Sequence, residues 1–100
     1  MKMVLSFEFD ADIIDVPKSI IENKDELKNE FYDWLYDKNI HHRFWANEKG
    51  VQDGTQFGVV YRSDAFIEWI NTYVLLGVEK ASLLEEQVDD WDRTLPTLWF

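Results

Sequence analysis

An α+β domain is the fold class that this chain of 100 residues predicts, and three observations carry the expectation. Residues 2–9 alternate in the period-2 manner of a strand with one buried face. Two later segments repeat apolar residues at the helical period. Between those segments lies a β-branched and aromatic stretch punctuated by glycines. The resulting order is β-α-β-β-α-β, the ferredoxin-like (split βαβ) arrangement: an antiparallel sheet with two helices on one face, followed by a C-terminal tail or short third helix. An open α+β variant in which the tail supplies the fourth strand satisfies the same order.

The first strand is expected over residues 2–9 because Met3, Leu5, Phe7 and Phe9 alternate with Val4, Ser6 and Glu8. Residues 10–17 are rich in aspartate and read as a loop, with Pro17 suited to the first turn of a helix. Two capping boxes then compete, Ser19 with Glu22 and Asn23 with Glu26, so the helix runs from 17 to 38 or breaks near Asn23. Its apolar stripe is Leu27, Phe31, Trp34 and Leu35, with Ile20 added by the earlier start. Asn39, tolerant of a left-handed cap, ends it.

Residues 40–45 (IHHRFW) and 55–62 (TQFGVVYR) are expected to pair as a hairpin across the turn ANEKGVQDG. Ser63 then caps SDAFIEWINTYVLL, whose Phe66, Ile67, Trp69, Ile70, Tyr73 and Val74 form a broad apolar face that Gly77 terminates. For residues 78–92 propensity favours a helix through Ala81, Leu84, Val88 and Trp91, while their place after a helix stop favours a strand. The tail TLPTLWF is expected to fold back as a short edge strand or a plug, because an exposed Trp99-Phe100 pair is costly.

A hydrophobic content of 46% and an aromatic content of 16% suffice for one domain over residues 1–100 with a single core. The chain contains no cysteine, which excludes a disulfide framework and a thiolate zinc site. No apolar run reaches the roughly 18 residues of a membrane span, and Glu8, Asp10 and Asp12 interrupt the N-terminal apolar stretch, so a cytoplasmic protein without a signal peptide is expected. The net charge is −10, divided as −6 over residues 1–37, +2 over 38–62 and −6 over 63–100. Such a balance repels nucleic acid and anionic membranes and favours a basic partner. High negative charge also serves solubility by itself.

The acids are arranged in two groups. Glu22, Glu26, Glu30, Asp33 and Asp37 recur at spacings of 4, 4, 3 and 4, forming a stripe about 140° round a helix from the apolar one. Lys24, Lys28 and Lys38 fall on the flank of the apolar stripe, where their stems cover hydrophobic neighbours. The second group, Glu85, Glu86, Asp89, Asp90 and Asp92, surrounds Trp91, and an aromatic among acids is the composition of an interface that docks on a basic groove.

Catalytic constellations are few. Asp10 and Asp12 form a D-x-D after an apolar strand, and LSFEFDADII resembles the first motif of haloacid-dehalogenase-like phosphatases, which implies a nucleophilic first aspartate and an acid/base second one. That family requires a longer doubly wound domain with further lysine and acidic motifs, which this chain does not match. Asp10 also resembles the aspartate closing the first strand of the small metal-dependent nucleases of CRISPR adaptation, which have a ferredoxin-like core of about this length. Their arginine-rich following segment is replaced here by DIIDVPKSI. The plain alternative for Asp10, Asp12 and Asp15 is a solvated loop entering a helix N-terminus.

His41 and His42, as strand neighbours, point to opposite faces and cannot share a metal. Phe44, Trp45, Phe57 and Tyr61, near Arg43 and Arg62, have the makings of a base-stacking face, though core packing explains them better. No serine-nucleophile, phosphate-loop or zinc-protease motif occurs, so no catalytic residue, cofactor or metal is assigned. The expectation is a small acidic binding protein, not an enzyme, which occludes a basic, nucleic-acid-binding surface of a partner, after the manner of anti-restriction, anti-CRISPR, immunity or antitoxin proteins. A small nuclease using Asp10 and a homodimeric interaction module are the alternatives.

Overall fold

A computed structural model describes residues 1–45 and 58–100. The elements are β1 (Lys2–Ser6), β2 (Ala11–Asp15), α1 (Lys18–Glu22), α2 (Lys24–Leu35), α3 (Ser63–Trp69) continuing as a π-helical turn (Ile70–Val74), β3 (Ser82–Val88) and β4 (Thr97–Trp99). They form an α+β domain whose four-stranded mixed sheet has the order β3-β2-β1-β4. β1 pairs antiparallel with β2 and parallel with β4, and β2 pairs antiparallel with β3.

This order differs from the ferredoxin-like one. The chain opens with a β1–β2 hairpin, and every helix among the described residues falls between β2 and β3. The segment expected to continue the first strand instead turns, because Ser6 pairs with Ala11 and the Phe7 amide donates to the Asp10 carbonyl at 2.8 Å. Phe9 thereby reaches the tip of the turn, 88% exposed. The expected aspartate-rich loop is strand β2. Its Ile13 and Ile14 suit a pleated surface, and a buried ion pair accommodates Asp12 on it.

The helix does break at Asn23, whose side-chain amide donates to the Ser19 carbonyl at 2.9 Å while its own carbonyl accepts from Leu27. α2 stops at Leu35 rather than Asn39, as Tyr36 leaves helical geometry. Residues 40–45 are not a strand. His42 and Trp45 turn back towards the end of α2, with His42 Nε2 2.7 Å from the Leu35 carbonyl and Trp45 Nε1 donating to the Ile40 carbonyl at 2.8 Å. One isolated bridge, Trp45 to Val59, joins the described parts of the expected hairpin, and its turn lies outside the described residues. Ser63 does not cap α3: it is the first helical residue, and its hydroxyl is committed to Asp12.

Residues 82–88 are a strand, so sheet pairing overrides helix propensity there. Asn71, in the π-helical turn, clamps the start of this segment: its Oδ1 accepts from the Ala81 amide at 2.8 Å and its Nδ2 donates to the Ala81 carbonyl at 3.0 Å. The tail is both an edge strand and a plug. β4 completes the sheet, and Phe100 stacks on Phe7 at 5.4 Å between ring centroids.

Alternation along the strands divides the sheet into two faces. Met3, Leu5, Ile14 and Leu98 face the helices, packing with Ile20, Leu27, Phe31, Leu35, Phe66, Trp69 and Ile70. Phe31 is central, with edge-on contacts to Phe66 at 5.2 Å and Phe100 at 6.0 Å. Val4, Ala11 and Ile13 point the other way and meet Val88, Trp91 and Leu95. Since β3 and β4 are opposite edges of the sheet, residues 89–96 cross this second face to connect them.

Candidate acidic binding surfaces

The α2 face combines a buried side, Leu27, Phe31 and Leu35, with an exposed acidic one. Glu26, Glu30 and Asp33 are exposed and form no ion pair among the described residues. The five-residue stripe is not continuous. Glu22 belongs to α1 and lies 4.0 Å from Lys18, and Asp37 follows the end of α2 and accepts the Asn39 amide at 2.9 Å. Regular helical spacing therefore holds from Glu26 to Asp33, where the carboxylates rise about 6 and 4.5 Å along the axis. Lys28 covers the flank as its spacing implied, bonding to the Trp99 carbonyl with its ammonium 5.5 Å from the Phe100 ring centre.

The second acidic group divides by element. Glu85 and Glu86 stand on β3, an edge strand with two register irregularities against β2. Charge and bulges on an edge discourage pairing with another chain, which gives these glutamates a structural use. Asp89, Asp90, Trp91 and Asp92 lie on the crossover. Trp91 packs down on the Val4, Ala11 and Ile13 face, and the Arg93 guanidinium lies 3.8 Å from its ring centre while bonding to Asp90 at 3.3 Å. Asp92 accepts from the Thr94 hydroxyl at 2.7 Å and the Thr94 amide at 2.9 Å, and these bonds hold its carboxyl below the ordinary range. α2 and the crossover thus lie on opposite sides of the sheet, so Glu26, Glu30 and Asp33 do not share one flat surface with Asp89, Asp90 and Asp92, while Glu85 and Glu86 stand at the sheet edge.

Asp10 and Asp12 occupy neither surface as free carboxylates. Asp12 is 1% exposed. Its Oδ1 accepts from Arg62 at 2.7 Å and the Gln87 amide at 2.9 Å, and its Oδ2 accepts from the Ser63 hydroxyl at 2.6 Å and the Ser63 amide at 3.3 Å. Burial pushes its carboxyl upward, but bonds from Arg62, Ser63 and Gln87 outweigh that and hold it below the ordinary carboxylate range. Arg62 also reaches Asp10 at 2.6 Å. The D-x-D is therefore a tie between β2, the start of α3 and β3. Among the described residues no group of three or more His, Cys, Asp or Glu is placed to hold a metal.

His41 is exposed. His42 is half-buried with both ring nitrogens engaged, since Nδ1 accepts the Phe44 amide at 3.1 Å and Nε2 faces the Leu35 carbonyl. Phe44 is in the core, Trp45 stacks on His42, and Phe57 lies outside the described residues. Tyr61 packs edge-on against Phe31 at 5.8 Å, and burial, with a bond to the Tyr32 hydroxyl, raises its hydroxyl above the usual range. Phe44 and Tyr61 thus belong to the helix-facing core, which leaves them no base-stacking face.

One surface feature escaped the residue pattern. A cleft of about 420 Å³ opens where the β1–β2 turn meets the crossover and β4, lined by Phe7, Glu8, Phe9, Asp89, Trp91 and Trp99 among others. Trp99, expected to pack away with the tail, is instead 59% exposed at this cleft, while Phe100 packs inward.

Compared with known proteins, the chain matches no family model, no curated sequence and no solved structure. Fold and surface together define an acidic α+β domain with preformed anionic faces.

Proposed function

We infer that this chain is a small acidic protein-binding module, an inhibitor or immunity-type protein that occludes a basic, nucleic-acid-binding surface of a partner. Anti-restriction, anti-CRISPR, immunity and antitoxin proteins are the functional classes of this kind. The observation that carries the reading is the exposed row Glu26, Glu30 and Asp33, without ion pairs among the described residues, on a helix whose other side is anchored by Leu27, Phe31 and Leu35. Charges on an anchored helix are already ordered, so a partner gains the electrostatic attraction without a large cost for immobilising the backbone. The net charge of −10 adds long-range steering towards a cationic surface.

Carboxylate steps of about 4.5–6 Å exceed the roughly 3.4 Å between phosphates of one DNA strand, so the match to nucleic acid is one of sign and line, not of register. The nuclease alternative gains nothing from Asp10, whose carboxylate is bonded to Arg62. A homodimer through the β3 edge, unpaired among the described residues, has to overcome Glu85, Glu86 and the two irregularities.

The test is capture of the partner on immobilised protein, followed by competition with duplex DNA and RNA. The wild type and nucleic acid should exclude one another on the captured partner, with affinity falling steeply with salt. Glu26→Lys, Glu30→Lys and Asp33→Lys together should abolish capture. Binding that is flat in salt, or unchanged by the three reversals, overturns the proposal.

A further inference from the structure

Each of the chain's three arginines is held in one way, over an aromatic ring and against a carboxylate. Arg43 lies 4.4 Å from the Phe44 ring centre and 3.1 Å from Glu68. Arg62 lies 4.7 Å from Phe7 and 2.6 Å from Asp10. Arg93 lies 3.8 Å from Trp91 and 3.3 Å from Asp90. A guanidinium suits both partners at once: its flat face stacks on the ring while its edge donates to the acid.

The cleft beside the β1–β2 turn presents the same two kinds of group again. Phe9 is 88% and Trp99 59% exposed, and no cation among the described residues lies over either ring. Glu8 and Asp89, which line the cleft with them, form no ion pair among the described residues. Arg93 also lines the cleft, but it is committed to Trp91 and Asp90, and Arg62 to Phe7 and Asp10, so Glu8, Asp89, Phe9 and Trp99 are left to repeat the pairing that the chain's own arginines satisfy. The cleft, about 420 Å³ and open to solvent on one side, has room for the end of one long side chain.

Resting on the reading of an acidic module with a basic partner, we propose that this cleft takes an arginine side chain of the partner protein, stacked on Phe9 or Trp99 and bonded to Glu8 or Asp89. The same composition favours arginine over lysine, whose compact ammonium does not stack. The cleft adds a specific anchor to an attraction that the α2 charges supply without specificity.

The test is an NMR titration of the ¹⁵N-labelled full chain with N-acetylarginine amide and, in parallel, N-acetyllysine amide. Saturating shifts are expected at Glu8, Phe9, Asp89 and the Trp99 indole, with the arginine compound binding several-fold more tightly. Phe9→Ala with Trp99→Ala, which leaves the charge unchanged, should weaken it by about fivefold or more. Glu8→Gln with Asp89→Asn, at exposed positions, provides a second variant should the aromatic pair disturb β4, and it should weaken binding similarly. Shifts spread along Glu26 to Asp33, equal response to the two compounds, or unchanged binding by the Glu8→Gln, Asp89→Asn variant overturns the proposal. The α2 reversals should leave arginine-amide binding within about twofold, so loss of partner capture by them tests the function separately from the cleft.

Discussion

Replacing Asp12 by alanine probes the tie that joins β2, β3 and α3. The substitution removes the acceptor of bonds from Arg62, the Ser63 hydroxyl and amide, and the Gln87 amide. Breaking a buried ion pair costs about 3–5 kcal/mol. Arg62 is 33% exposed and keeps Asp10 at 2.6 Å, which places the loss at the lower end, about 3 kcal/mol. For a domain of this size that is a fall in Tm of roughly 12–24 °C. Thermal and urea unfolding at pH 7, followed by tryptophan fluorescence and circular dichroism, measures it. A loss below about 1 kcal/mol would refute the assignment of Asp12 as a structural tie. The pH dependence has a definite sign. Because the folded carboxyl titrates below its unfolded value, the unfolded chain takes up the proton first. The contribution is fully present above the unfolded value of about 3.9 and is lost as pH falls through the lowered folded value. The stability gap between wild type and Asp12→Asn should therefore narrow on acidification below about pH 4; a gap that widens there contradicts the ion pair.

Phe31→Ala, at the centre of the helix-facing core, should cost about 3–5 kcal/mol, a large share of the total stability of a domain, and denaturant titration would show it as a lower midpoint. Gln87 adopts φ 55°, a left-handed conformation that costs a non-glycine residue roughly 1 kcal/mol, so Gln87→Gly should unfold at a higher urea concentration than the wild type; a lower one removes the strain. Thr94→Ala should move the Asp92 carboxyl part of the way up towards the ordinary range in an NMR titration, since it removes the Thr94 hydroxyl bond, the larger cause of the lowering, and leaves the amide bond in place.

The parts of the fold that read directly from the residues are those set by local periodicity. The spacing of Leu27, Phe31 and Leu35 marks the buried side of α2, and the expected break near Asn23 is real, although neither capping box forms: Pro17 precedes α1, and Asn23 makes no side-chain cap bond to α2. The β1–β2 turn was hidden because FEFD contains no glycine, asparagine or proline, and Phe9 continues the apolar alternation of Met3, Leu5 and Phe7. Asp12 looks solvated in the sequence because its partner Arg62 is 50 residues away; an aspartate between Ala11 and Ile13, before Ile14, nevertheless signals a charge that needs one. The acidic stripe was legible as composition but not as geometry, because Glu22 and Asp37 fall outside α2, and the second acidic group is divided between the β3 edge and the crossover behind the sheet. The cleft depends on the β1–β2 turn coming beside Trp99 through the parallel β1–β4 pairing, which no local pattern encodes.

That parallel pair also orders the events of synthesis. Ser6 lies opposite Trp99, so one edge of β1 waits for a strand made some ninety residues later, a delay of roughly 5–20 s at ordinary elongation rates. Throughout that interval Val4, Ala11 and Ile13 lack the crossover that covers them. The β1–β2 hairpin therefore keeps one apolar face uncovered until residues 89–96 are made and close over it.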